Sequence, residues 1–210
     1  ILGSLGGFLA LCVYRGAEAF QVYQGMLRDE PSPDDQSGFQ QDCLMAQFAD
    51  RECAEKADRK VIRDLDLRFS GHKAWPIFRS YRPGYLPWHL DKPEAEFLTF
   101  ALHCASDWIE KISSGILKAD EHPGLVLSYL PKKGDSPGSL DHENAWTPQP
   151  VGVSQQPPAL DTARLARLQA KFAKKGGAWE VEAFYLPATI MDRERPYHIR
   201  FVLTVDRDSG

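Results

Sequence analysis

At 210 residues, with 43% hydrophobic and 26% charged residues, the chain has an ordinary globular composition, long enough for one large domain or one domain and part of another. A formal net charge of −4 and a pI near 5.9 argue against a generic nucleic-acid coat or a polybasic membrane binder, while leaving room for a local basic surface. Cys12, Cys43, Cys53 and Cys104 form no C-x-x-C pair and suit reduced thiols in a cytoplasmic protein rather than a disulfide framework.

The opening ILGSLGGFLALCVYRG has no initiator Met, no basic flank and too short an apolar run to cross a bilayer, so neither a signal peptide nor a membrane span is expected. Gly6 and Gly7 mark a turn, Phe8 to Tyr14 reads as a buried strand, and Gly16 precedes a helix from about Ala17 to Leu27. After a Pro- and Asp-rich loop, Asp42 to Phe48 reads as a second strand. Glu52 to Leu65 then reads as an amphipathic helix with Ala54, Ala57, Val61, Ile62 and Leu65 on one face.

The segment from Arg68 to Leu90 contains no Asp or Glu. It carries Arg68, Lys73, Arg79, Arg82, two histidines and six aromatics. Pro76, Pro83 and Pro87 deny it a regular helix and make it a poor central strand, so an irregular segment held by its own aromatic rings is expected. Asp91-Lys92-Pro93-Glu94 has the spacing of a capping box, in front of a helix with Phe97, Leu98, Ala101, Leu102, Ala105, Ile109 and Ile112 as its apolar stripe.

Leu125 to Leu130 reads as a strand and 131–158 as a polar Pro/Gly-rich linker. Leu160-Asp161 then opens a helix with Leu165, Leu168 and Phe172 inward, stopped at Gly176-Gly177. Trp179 to Leu186 and Tyr197 to Asp206 form a hairpin joined around Arg193 to Pro196, with Tyr197, Ile199, Phe201, Leu203 and Val205 sharing one face. So short a unit buries little by itself, and must pack on the first domain or begin a second. Both ends of the chain read as cut, so a fragment is expected.

Aromatic faces stack on bases and guanidinium forks hold phosphate oxygens, so the candidate binding residues are Trp75, Arg79, Tyr81, Arg82, Tyr85 and Trp88. Arg164, Arg167, Lys171, Lys174 and Lys175 add a basic stripe on the later helix; the simpler account is that the aromatics are core, Arg79 and Arg82 pair with carboxylates or cap carbonyls, and the stripe is a solvated face. His72, His89, His103, His122 and His142 lack metal-ligand spacing, and Cys104 sits near an apolar stripe, as an inert thiol does. Asp206, at the end of a strand, is the single candidate metal ligand, and a plain turn-opening Asp is the simpler account of it.

The runs GGFLALCVYRGAEAFQVYQ, QDCLMAQFADRE and HKAWPIFRSYRPGYLPWHLDKPEAEFLTFALH resemble an uncharacterised bacterial family, a domain of unknown function found in cytosolic proteins. The tail WEVEAFYLPATIMDRERPYHIRFVLTVDRDSG resembles the opening of a second domain of unknown function that follows the first in such proteins. Neither resemblance implies an activity, cofactor or catalytic residue. The ending VLTVDRDSG is also similar to the first hairpin of ribonuclease-H-like nucleases and integrases.

The expected architecture is α+β: strands alternating with three helices over 1–130, a linker over 131–158, and the helix and β-hairpin of an incomplete second domain over 159–210. The expected function is a non-catalytic binding or scaffolding module using the aromatic and Arg-rich loop, with nucleic acid or another protein as partner, and with no membrane and no cofactor. The alternative is part of a metal-dependent nuclease or related hydrolase using Asp206.

Overall fold

The computed structural model describes residues 2–5, 8–28, 36–118, 122, 125–131, 142–148, 161–171, 177–191 and 194–207. Strands β1 (Leu2–Leu5), β2 (Phe8–Tyr14), β3 (Cys43–Ala49) and β4 (Trp75–Tyr81) form one antiparallel sheet in chain order. Helices α1 (Gly16–Arg28), α2 (Lys56–Asp64) and α3 (Lys92–Ser113) accompany it. Two antiparallel pairs follow, β5 (Leu125–Pro131) with β6 (His142–Pro148), and β7 (Trp179–Ile190) with β8 (Tyr197–Asp206); helix α4 (Thr162–Lys171) lies between the pairs. The architecture is α+β. No described helix is long and apolar enough to cross a membrane.

The register assigns the two faces of the sheet. Leu44 pairs with Ser80 and Val13, and Ala46 pairs with Leu11 and Phe78, so these side chains share one face. Buried Leu11, Leu44 and Ala46 meet buried Leu98 of α3 there, with Val13, Leu90, Ala101, Leu102 and Ala105 around them. The alternate residues face the other way, where Ala49 and Ile77 pack on Ala54, with Trp75 at the margin. On β4, Phe78 and Ser80 therefore serve the α3 face, while Trp75, Ile77, Arg79 and Tyr81 serve the α2 face.

Several expected elements take a different form. Trp75 to Tyr81 is a strand and not irregular, and it tolerates Pro76 because it is the edge of the sheet in strand order. The helix expected over Glu52 to Leu65 is a 3-10 turn, Arg51–Cys53, followed by the shorter α2. Of its expected apolar stripe, Ala54 and Ile62 are buried, whereas Ala57, Val61 and Leu65 are exposed.

Strand β6 stands inside the span read as linker, paired residue for residue with β5 from Leu125↔Pro148 to Pro131↔His142. Its polar sequence HENAWTP hid it; besides the backbone ladder it is held by Trp108 Nε1 donating to Asn144 Oδ1 at 2.9 Å, by the Ser128–Thr147 hydroxyl pair and by the Trp146 ring against His122. Leu165 and Leu168 of α4 are exposed and not inward among the described residues. The Gly6-Gly7 turn, Phe172, Lys174, Lys175, Gly176 and Arg193 lie outside the described residues, as does much of the 131–158 span.

Candidate functional site

Two capping boxes organise the site. At α3, Asp91 Oδ1 accepts the Glu94 N–H at 2.9 Å and Glu94 Oε2 accepts the Asp91 N–H at 3.2 Å, as the spacing predicts. The box leaves Glu94 Oε1 aimed at the sheet, where it accepts from Arg15 Nη1, Ser80 Oγ and Arg82 Nη2, each at 2.8 Å. Glu94 is 8% exposed. Burial alone would push its carboxyl up, but these hydrogen bonds, led by Arg82 and Ser80, outweigh burial and hold it at about 2. A carboxylate so acidic is no proton acceptor near neutral pH; it is a fixed anion around which cations assemble.

At α2, Glu55 and Asp58 form a second box, with the Glu55 N–H donating to Asp58 Oδ2 at 2.9 Å. Asp58 is taken from the sheet side by Arg79, whose two terminal nitrogens reach its two oxygens at 2.8 Å each. Glu55 Oε1 adds a third contact to Arg79 at 3.1 Å. Burial opposes ionisation of Asp58, yet the Arg79 fork and the Glu55 N–H leave its carboxyl below the usual range. In both helices the last carboxylate of the box therefore caps the helix and anchors an arginine from the strand or loop outside it.

The six residues expected at a contact surface divide by this geometry. Arg79 is 7% exposed and engaged by Asp58 and Glu55 on the α2 face. Arg82 is half exposed and pairs with Glu94 and Asp91. Tyr81 is partly buried, its hydroxyl directed at Met45 Sδ at 3.9 Å, and burial raises its phenol pKa. Trp88 exchanges backbone hydrogen bonds with Ser80 along the edge of β4, at 2.8 and 3.0 Å. Tyr85 meets the Tyr197 ring edge to face at 6.2 Å. Trp75 stands at the opposite end of β4, against Phe69 and beneath Arg51. Arg82, Tyr85 and Trp88 thus gather round Ser80, and Arg79 and Trp75 do not join them.

The turn after β4 receives the β7–β8 hairpin. The Leu86 N–H donates to Pro196 O at 3.0 Å and the His198 N–H to Gly84 O at 2.8 Å, on either side of a bridge between Tyr85 and Tyr197. Arg195 reaches in from the hairpin. Its Nη2 donates to Ser80 O at 2.5 Å, its Nη1 to Ser80 Oγ at 3.4 Å and its Nε to Leu86 O at 3.3 Å, while its guanidinium lies 5.7 Å over Tyr85. Phe39 stacks on Tyr185, and the Tyr185 N–H donates to Gln36 Oε1 at 2.6 Å. Gly84 has φ +78°, and a Cβ there would sit 3.0 Å from the Tyr185 ring, so glycine meets both a backbone and a space requirement.

Beside this seam a polar cavity of about 360 Å³ is lined by Arg15, Gln36, Gln40, Asp42, Tyr185 and Arg200, among others. Arg15 also holds Asp42 and donates to Tyr81 O at 2.6 Å, joining the cavity wall to the Glu94 cluster.

Asp206 pairs with Trp179 at the far end of the hairpin. Among the described residues no group of three His, Cys, Asp or Glu side chains is placed to hold a metal ion; Asp192 and Asp208 lie outside them. Cys53 and Cys104 are free thiols, and burial pushes Cys104 up, away from reactivity. Sequence reasoning found the Asp91–Glu94 box as a helix start but missed Glu94 as a hub, and it missed Glu55–Asp58, Arg15 and Arg195 altogether. The available signal was the E-x-x-D spacing of Glu55 and Asp58 ahead of an Arg-bearing segment.

A family model described as a domain of unknown function (DUF7309) matches residues 1–127. The chain belongs to the DUF7309 family. A second model, a domain of unknown function (DUF6930), matches residues 164–210. No curated protein and no solved structure matches the chain. The seam just described is therefore where the DUF7309 region meets the segment similar to DUF6930, and Arg195 is the residue by which the second reaches the Glu94 and Ser80 cluster of the first.

Proposed function

We propose that this DUF7309 chain is a non-catalytic binding and scaffolding module whose aromatic and Arg-rich loop is a docking platform, with the DUF6930-like hairpin as the protein element it holds. The observation that carries this reading is the crossing of the seam by backbone hydrogen bonds at Leu86 and His198 with Arg195 set into Ser80 and Leu86. Strand-like backbone pairing supplies affinity and the seated guanidinium supplies register, the division of labour in recognition by β-augmentation. The charged groups at the centre support holding rather than turnover, since Glu94 keeps its charge far below neutral pH and its Oε1 is saturated by three donors. The same reading assigns the module to the bacterial cytoplasm, where an exposed thiol such as Cys53 stays reduced; recovery of Cys53 from cells as a disulfide would contradict this.

The platform is tested in the full chain. Arg195→Ala removes hydrogen bonds from a charged donor, each worth about 1.5–3 kcal/mol in such settings. Gly84→Ala forces a Cβ into left-handed backbone, at a cost of about 1–2 kcal/mol, and displaces Tyr185. Both variants are expected to speed tryptic cleavage within 177–207 while β2, β3 and β4 stay protected. Unchanged cleavage across the hairpin in both variants removes the platform reading.

A further inference from the structure

We propose that a groove of about 560 Å³ between α2, the turn after it and the start of β4 binds single-stranded nucleic acid, with phosphates on its arginines and a base against Trp75. It uses different residues from the docking platform, at the other end of β4, and stands independently of it.

The groove is lined by Arg51, Lys56, Arg59, Arg63 and Arg68, against one carboxylate, Asp66. Five cations and one anion give this wall a formal charge of +4 in a chain whose net charge is −4. The concentration is therefore local and not a property of the composition. Among the described residues none of the five shares an ion pair with a carboxylate, whereas Arg15, Arg79 and Arg82 each do. Like charges held side by side repel, and a polyanion that releases counterions on binding relieves that repulsion.

Local structure fixes the cations in place. Arg59 and Arg63 are one turn apart on α2 and so share a face. The helix closes with the Leu67 N–H donating to Ile62 O and the Asp66 N–H to Arg63 O, with Asp66 in left-handed backbone at φ 51°. That reversal sends Arg68 back along the groove. Trp75 forms the far wall, partly buried in the small core on the α2 face, with the Arg51 guanidinium 5.6 Å from its ring centre.

Four of the five cations are arginines, whose planar forks match phosphate oxygens in pairs and stack on rings. A concave wall combining guanidinium forks with an indole suits a chain that alternates phosphates with unstacked base faces. A duplex hides those faces, and a bilayer surface offers none.

The test is fluorescence anisotropy of a short labelled single strand, DNA or RNA, with the full chain across a salt series. Unlabelled duplex and anionic phospholipid vesicles serve as competitors. Binding that weakens with salt is expected; in Arg59→Glu/Arg63→Glu the affinity should fall about tenfold or more, and the log–log salt slope should shrink by about 1.4, at about 0.7 for each phosphate no longer neutralised. Lys92→Glu, an exposed charge reversal on α3, should leave both unchanged. Because the double reversal could disturb α2, the exposed Arg63→Gln is measured beside it, with a melting curve confirming its fold. No binding at low salt overturns the proposal. So does unchanged affinity and slope in folded Arg63→Gln, or duplex or vesicles displacing the strand more effectively than unlabelled single strand.

Discussion

Glu94→Ala is expected to destabilise the protein by about 3–5 kcal/mol, the usual cost of removing one partner from a buried ionic cluster. The large effect follows from what remains. Arg15 Nη1 and Arg82 Nη2 would point at an empty space beside Arg195, and Ser80 Oγ would lose its acceptor. Burial together with the Arg82 charge already pushes the Arg195 pKa down, and removing Glu94 deletes the largest influence that opposes this. The variant also deletes the carboxylate that caps the start of α3, whose Leu98 completes the main core.

Glu94→Gln separates these contributions, since Gln serves the capping box without the charge. It should recover the capping part of the loss and little of the rest, as read from urea unfolding at neutral pH. The carboxyl titrates at about 2 in the folded chain against an ordinary value of 4.5, so its folded pKa is depressed. Its contribution is therefore complete above about pH 4.5 and disappears as the pH falls towards 2. The difference in unfolding free energy between the native chain and Glu94→Gln should narrow across that window. A difference that stays constant down to pH 2 would mean that the charge contributes nothing.

Arg79→Ala is the second large effect, expected at about 3–5 kcal/mol for the same physical reason on the opposite face of the sheet. Asp58 would keep its cap to the Glu55 N–H but lose both guanidinium hydrogen bonds in a site where its side chain is 10% exposed. Of the residues in α2, only Ile62 is buried, so the Arg79–Asp58 fork is the main tie between this helix and β4. Arg79→Lys cannot reproduce the two-point fork and should recover only part of the loss. Arg79→Ala/Asp58→Ala should cost clearly less than the sum of the single changes, since no buried charge is left alone. Additive losses in that cycle would show that the two side chains are not coupled.

The backbone plan was largely legible because it rests on local signals. The apolar run Phe8 to Tyr14, the glycine that opens α1 and the capping box at Asp91 each announce an element within a few residues. Trp75 to Tyr81 was illegible as a strand because Pro76 disqualifies a central strand, and nothing local says that the segment lies at an edge. Strand β6 was hidden by its polarity. The candidate site was legible in composition and not in detail. The density of Arg and aromatic residues over Arg68 to Leu90 did mark a segment rich in contacts, but the parity of β4 decides that Arg79 and Ser80 face opposite helices. Partners such as Asp58 for Arg79, Glu94 for Arg15 and Arg195 for Ser80 are separated by 21, 79 and 115 positions, and spacing along a chain carries no information at that range.

The central claim is that the loop after β4 holds the hairpin through the seam at Gly84, Leu86 and Arg195. Amide hydrogen exchange in the full chain tests it most directly, read at Leu86 and His198, whose N–H groups cross the seam. Both amides should be protected in the native chain and should exchange faster in Arg195→Ala, while Leu44 and Ala46 in the core of β3 remain slow. Rapid exchange at Leu86 and His198 in the native chain, or identical exchange with and without Arg195, would contradict the account.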